Sequence, residues 1–191
     1  MKKKKEQPKM SRGLTHPVDF DVDRILWIER QLFLFDESIN NKVALRVVKQ
    51  LKALNYINTK IPITMWINCY GGQCDAGLSI IDAIQKSKAP VATWITGVAC
   101  SMASLISIVG DVRIMYKHAV WMNHPPHAGQ SDYVSFIKDR MISHNIWQKT
   151  NNQILKKYTK LSKKEIKQML RGEMWLTAKQ CLKKGIVDKI I

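Results

Sequence analysis

Between Ile63 and Thr96 the chain alternates strand, helix and strand, and that alternation restricts the fold more than any other feature. "ITMWINCY" is a short, nearly continuous apolar run, the pattern of a buried parallel strand. The glycine pair at 71–72 ends it. "DAGLSIIDAIQKSK" (Asp75–Lys88) follows as a helix stopped by Pro90, and "VATWIT" is the next strand. The alternation continues in both directions. Upstream, "RILWIERQLFLF" (Arg24–Phe35) is rich in β-formers and predicts one or two short strands. "DESINNKVALRVVKQLKALN" predicts an amphipathic helix through Val43, Leu45, Val47, Val48 and Leu51, N-capped near Asp36 or Ser38. Downstream, a helix after Ser101 stops near Gly110, and "RIMYKHAVWMNH" (Arg113–His124) predicts strand pairs closed by Pro125–Pro126. A long polar helix is expected from about 131 to 160, then a short one in "LSKKEIKQMLRG". "WLTAKQCLKKGIVDKII" predicts a turn, a helix ended by Gly185 and a last strand. Strands and helices in this order imply an α/β fold with a mostly parallel sheet.

With 191 residues the chain suits one domain, expected over 21–191. Residues 1–20 are polar, lysine-rich and broken by Pro8, Gly13 and Pro17, which predicts a flexible basic tail. No apolar run approaches the roughly 20 residues that span a bilayer, and the basic start has no apolar core behind it. The expectation is therefore a cytoplasmic protein that neither crosses a membrane nor carries a secretory signal. Cys69, Cys74, Cys100 and Cys181 form no C-x-x-C pair and have no histidine at zinc-ligand spacing, so they are read as reduced thiols and no metal is expected. The net charge of +16 raises nucleic-acid binding as a function. Its lysines gather in the tail and after Lys149, without a recognised nucleic-acid module, and solvated helix faces account for them.

Ser101 stands between a strand and a helix with Ala99 and Ala103 two positions away on either side. A nucleophilic serine on a tight strand-to-helix turn needs small neighbours at those positions, and the helix behind it offers free N–H groups to a developing oxyanion. The letters are A-x-S-x-A rather than G-x-S-x-G, and a serine in a packed helix has the same surroundings. Gly71 and Gly72 let bare backbone approach a ligand, as an oxyanion donor or as the edge where an extended peptide adds. An ordinary turn needs the same residues. Of the five histidines, His124 ends an apolar strand and is pinned by Pro125, with His127 as a competitor three residues on. Asp132, Glu173 and Asp188 are each candidates for the acid that would orient an imidazole, and residue type does not choose among them.

Taken together, "INCYGGQCDAGLSIIDAI", "GVACSMAS", "VWMNHP" and "MWLTAKQCLKKGIVDKI" resemble the proteolytic subunit of the Clp protease, in the same order and over about residues 24–191. The resemblance implies a Clp protease/crotonase-like spiral of repeated β-β-α units with a protruding handle helix at about 131–160. It implies a serine endopeptidase acting on peptides and unfolded proteins, with Ser101 as nucleophile, His124 as base and Glu173 in the acid position. Gly72 and Met102 match the backbone donors of the oxyanion hole, and Gly71 and Gly129 match positions in the substrate groove. It also implies heptameric rings stacked as a tetradecamer, fed by an AAA+ unfoldase. That partner would consume the ATP, and the chain itself would need no cofactor. The family's aspartate is Glu173 here, "SPGG" reads "CYGG", and the groove strand reads "PPHAGQSDY". Three alternatives remain at this stage: a ring-forming structural subunit with a weakened triad, a crotonase-type acyl-CoA enzyme, and a nucleic-acid module built on the tail.

Overall fold

The computed structural model describes residues 21–126 and 134–191, with side chains of the long helix described from Met141 onward. It is an α/β fold around one sheet, and the alternation in the sequence is its organising pattern. Three parallel strands lie side by side: β1 (Gln31–Phe35) at the edge, then β2 (Ile63–Cys69) and β3 (Val91–Cys100). Helix α1 (Val22–Ile28) precedes β1, α2 (Asn41–Ile57) joins β1 to β2, and α3 (Cys74–Gln85) joins β2 to β3. The short helix α4 (Met102–Ser107) follows β3 directly.

The strands β4 (Val112–Met115) and β5 (Val120–Asn123) do not pair with each other, as the sequence reading expected of Arg113–His124. Both lie parallel to β3, on successive stretches of it: Ala92–Ile95 takes β4 and Val98–Cys100 takes β5. A break in β3 makes this possible. Its register against β2 jumps from Ile67↔Ile95 to Cys69↔Ala99, leaving extra residues on β3. Asn68 fills the break, its Oδ1 accepting the Val98 N–H at 3.0 Å. Gly97 is required there, since a Cβ would lie 2.4 Å from that oxygen.

Beyond the handle-position helix α5 (Val134–Tyr158) and α6 (Lys163–Met169), strand β6 (Met174–Thr177) pairs antiparallel with β5. The sequence reading placed a turn at β6. Then α7 (Ala178–Lys183) leads to β7 (Lys189–Ile190), parallel to β4. Arg113 and Asp188 fasten this edge: the guanidinium Nε donates to Asp188 Oδ2 at 3.0 Å, and the Arg113 amide donates to the same oxygen at 2.9 Å.

One sheet face is the core. Ile63, Met65, Ile67 and Cys69 of β2 are buried on that face with Ile80 and Ile81 of α3 and Leu51 of α2. The apolar run of β2 predicted burial on both sides. The structure instead alternates, and the other face carries a half-covered aromatic row: Phe33, Trp66, Trp94 and Tyr116, with Trp66 and Trp94 centroids 4.8 Å apart.

Two helix boundaries differ from expectation for local reasons. Residues from Val22 to Ile28 form a helix rather than a strand, because the Asp21 carboxylate accepts the Arg24 N–H at 2.9 Å and caps it. Helix α2 starts later than Asp36 or Ser38. Asp36 has φ +45°, Ile39 bridges to Gly72, and Asn40 is the cap, accepting from Lys42 and Val43. At the other end of α2, Arg30 is 6% exposed. It donates to the carbonyls of Leu54, Asn58 and Pro62 at 3.0, 2.9 and 3.2 Å. A cation on the last carbonyls also suits the helix dipole.

Two stability predictions follow from these anchors. Arg30→Met removes three donors from buried or half-buried carbonyls, and urea unfolding should show a loss of about 2–4 kcal/mol. Glu165 caps α6 through Ser162 and pairs with Lys184; those hydrogen bonds hold its carboxyl at about 2. A depressed carboxyl stabilises the fold above its unfolded value of about 4.3 and ceases to do so as pH falls through the folded value. Glu165→Gln should therefore melt below wild type at pH 7, and the gap should close between about pH 5 and pH 2.

Candidate active site

The backbone at Ser101 is unusual before any chemistry is assigned to its side chain. Its φ is +53° and ψ −125°, a region that a non-glycine residue enters at an expense of about 1–3 kcal/mol. Neighbours hold it there from three sides. The Ser101 N–H donates to the Met122 carbonyl of β5 at 2.9 Å. Its own carbonyl accepts from the Ser104 amide at 3.0 Å and from the Ser104 hydroxyl at 2.6 Å. Gly71 packs against it so closely that a Cβ there would lie 2.7 Å from Ser101 Cβ, 2.7 Å from the Cys100 carbonyl and 3.0 Å from the Met102 nitrogen.

Gly71, with φ +104°, and Gly72 form the turn after β2. Gly72 meets Ile39 in an isolated parallel bridge: the Ile39 N–H donates to Gly71 O at 2.9 Å, and the Gln73 N–H donates to Ile39 O at 2.7 Å. In such a bridge the Gly72 amide points to the opposite side, away from Ile39. A Cβ on Gly72 would fall 2.2 Å from the Ile39 carbonyl. The Met102 N–H lies in the first turn of α4, where no carbonyl of the helix itself reaches it. The Met102 amide thus adjoins Ser101 at the start of α4, and the glycine turn packs against the same elbow at Gly71.

His124 is the residue after β5, half-buried, with Nδ1 2.6 Å from the Pro125 carbonyl. The β5–β6 ladder ends on the pair Asn123 and Met174, and His124 and Glu173 are the residues that flank that last pair. Glu173 is exposed, and its Oε2 accepts from the Trp175 indole at 2.8 Å. Neither of these bonds links the two residues. The Glu173 charge is felt at Cys100, next to Ser101: burial foremost, then the negative charge of Glu173, pushes the Cys100 thiol up to about 11. Cys69 and Cys181 are likewise held up by burial, and all four cysteines are free thiols.

Asp188 does not take part. It pairs with Arg113 at the β4–β7 edge, which holds its carboxyl below the usual range. His127, Gly129 and Asp132 lie outside the described residues. Two residues escaped the sequence reading. Ser104 is fully buried, and its hydroxyl accepts from Asn123 Nδ2 at 2.8 Å. The Trp121 indole donates to the Ser104 carbonyl at 3.2 Å. This buried network ties α4 to the end of β5, and so fixes the elbow relative to His124. The available signal was a serine in an otherwise apolar helix and an asparagine ending an apolar strand, both of which must find partners when buried.

Two clefts border these residues. One, of about 350 Å³, lies beside Gly71 and Gly72 and is lined by Asp36, Glu37, Ser38 and Tyr70. The other, of about 590 Å³, reaches Glu173 from α6. Among the described residues no helix is long and apolar enough to cross a membrane.

Comparison with known proteins agrees with the order of these elements. The family model described as Clp protease matches residues 16–191. The ATP-dependent Clp protease proteolytic subunit 1 of Chlamydia trachomatis is 31% identical over 183 residues, covering 93% of this chain and 94% of that protein. Its counterpart from Chlamydia muridarum is also 31% identical over 183 residues. A strand-to-helix elbow at Ser101, met by a glycine turn and followed by His124 and Glu173 beside the paired strands β5 and β6, runs through the matched region, and the chain belongs to the Clp protease family.

Proposed function

We propose that this chain is a serine endopeptidase, the proteolytic subunit of a Clp-type protease, with Ser101 as its nucleophile. The observation that carries the reading is the elbow itself. A positive φ at a serine, stabilised from three sides at the start of a helix, is strain retained where it presents a side chain. The mechanism follows from the arrangement. Ser101 Oγ attacks the scissile carbonyl carbon as His124 takes the hydroxyl proton. The amides of Gly72 and Met102 hold the oxyanion, a contribution that typically amounts to about 10²–10³ in rate per donor. The imidazolium then protonates the leaving amine, the acyl-enzyme forms, and water repeats the sequence to release the acid. Glu173 would orient the imidazole after a side-chain rotation away from Trp175. An extended peptide would lie along Gly71–Gly72.

The assembly implied by the family is a cytoplasmic tetradecamer of two heptameric rings, with α5 as the handle between them. An AAA+ unfoldase would supply unfolded protein and consume ATP, while the peptidase chain uses no cofactor. A second reading, a ring subunit with weakened catalysis, is favoured by one observation: the Glu173 carboxylate is engaged by the Trp175 indole.

Cleavage of a fluorogenic peptide by the purified oligomer separates the two. Under the first reading Ser101→Ala lowers kcat by roughly 10⁶-fold, to background, and a fluorophosphonate probe labels wild type but not the variant. Glu173→Gln lowers kcat by roughly 10²–10⁴-fold. Intact rings that neither cleave nor react with the probe would establish the second reading. Gly71→Ala drives a Cβ into the Ser101 backbone, and kcat should fall by about 10²-fold or more while the ring persists on size-exclusion chromatography.

A further inference from the structure

The cleft on the α6 side of Glu173 has a charge that the fold does not use. Helix α6 turns Ile166 and Met169 into the core. That orientation sends the row Lys164, Lys167, Gln168 outward, and Arg171 continues it beyond the helix end at the same spacing. These four, with Gly172 and Glu173, line a cleft of about 590 Å³. The helix has one acid of its own, Glu165, and it is committed elsewhere, to Lys184 and the Ser162 cap. None of the three cations forms an ion pair among the described residues. The cleft therefore offers three positive charges against the single carboxylate of Glu173, in a concave surface that concentrates their field. The other cleft bordering the site is lined by Asp36 and by Glu37, which Arg46 neutralises, so it offers an acidic side chain no net positive charge of the kind that α6 does.

We propose that the Lys164–Lys167–Arg171 cleft is a subsite for acidic side chains of the substrate, so that peptides bearing Asp or Glu near the scissile bond are bound and cleaved in preference to neutral ones. The proposal rests on the peptidase reading above, because the substrate is a peptide lying across Ser101. Its cations select by charge: a carboxylate of Asp or Glu is held by a lysine ammonium or the Arg171 guanidinium, and the advantage is sensitive to salt because the cleft is open.

Binding and cleavage are measured separately. Fluorescein-labelled peptides that differ only in Glu-Glu against Gln-Gln are titrated by anisotropy into full-length Ser101→Ala protein. At about 50 mM salt the acidic peptide should bind about tenfold tighter. The advantage should vanish at about 500 mM salt and when Lys164→Gln, Lys167→Gln and Arg171→Gln are added. Lys167→Gln alone should give an intermediate advantage, and serves if the triple variant does not fold. Equal binding of the two peptides, or an advantage that survives these substitutions, overturns the subsite. The active chain then cleaves both peptides, and the ratio of their kcat/KM values should fall from about ten to about one in the triple variant. Cleavage without preference also overturns the subsite. Preferential binding with no cleavage of either peptide by wild type overturns the peptidase reading and with it the role of the cleft as a substrate subsite. A single-stranded oligonucleotide that displaces the acidic peptide below the peptide's own Kd, and loses that ability in the triple variant, assigns the cleft to nucleic acid and overturns the proposal.

Discussion

Ser101 keeps a left-handed backbone because its amide is bound by Met122, its carbonyl by Ser104, and its flank by Gly71. The rest of the fold can be understood as what delivers those three partners. Met122 arrives only because β3 breaks at Gly97 and gives its second half to β5. Gly71 arrives because β2 ends one turn early, and Ile39 pins Gly72 in a bridge that a side chain would destroy. Ser104 arrives because α4 begins immediately, without a loop, so its first turn still faces the strand it left. An arrangement of this kind leaves little slack. Each partner is backbone or a small side chain, and at Gly71 one added carbon would meet the elbow at 2.7 Å.

Much of this was legible in the sequence, for physical reasons that are specific to each part. Apolar period and glycine or proline punctuation located β2, α3, the first half of β3 and the C-terminal helices, since those patterns record burial directly. The failures came where a neighbour distant in sequence decides the outcome. Whether β4 pairs with β5 or with β3 depends on a register break held by Asn68, and nothing near Arg113 records it. The start of α2 moved because Ile39 was recruited to Gly72, about thirty residues on, and a cap at Ser38 is incompatible with that bridge. Only one face of β2 was buried, because Trp66 and Trp94 are apolar in composition yet cover each other rather than a helix.

The site was legible in a different way. No single residue identified itself: Ser101 sits in a plain helical context, and His124 in a plain strand end. Their order along the chain and its likeness to a family supplied what residue chemistry alone left open. The structure adds the Asn123–Met174 rung that His124 and Glu173 flank, and it removes Asp188, whose carboxylate serves Arg113. Ser104 and Asn123 were illegible because their importance lies in a bond to each other, seen only once α4 and β5 are side by side.

The edge formed by β4 and β7 has a kinetic meaning. Arg113 and Asp188 are 75 residues apart in sequence, and the parallel pairings of β3 with β4 and β5 likewise require the chain to return from a distance. Closing loops of that length is slow compared with forming a helix. The strand pair that His124 and Glu173 flank includes β6, which lies about fifty residues after β5 in the chain. While a chain is being synthesised, α2 and α3 can therefore form long before that pair exists. The strained elbow has no reason to appear until β5 docks, so a growing chain carries the serine without the geometry that would make it reactive.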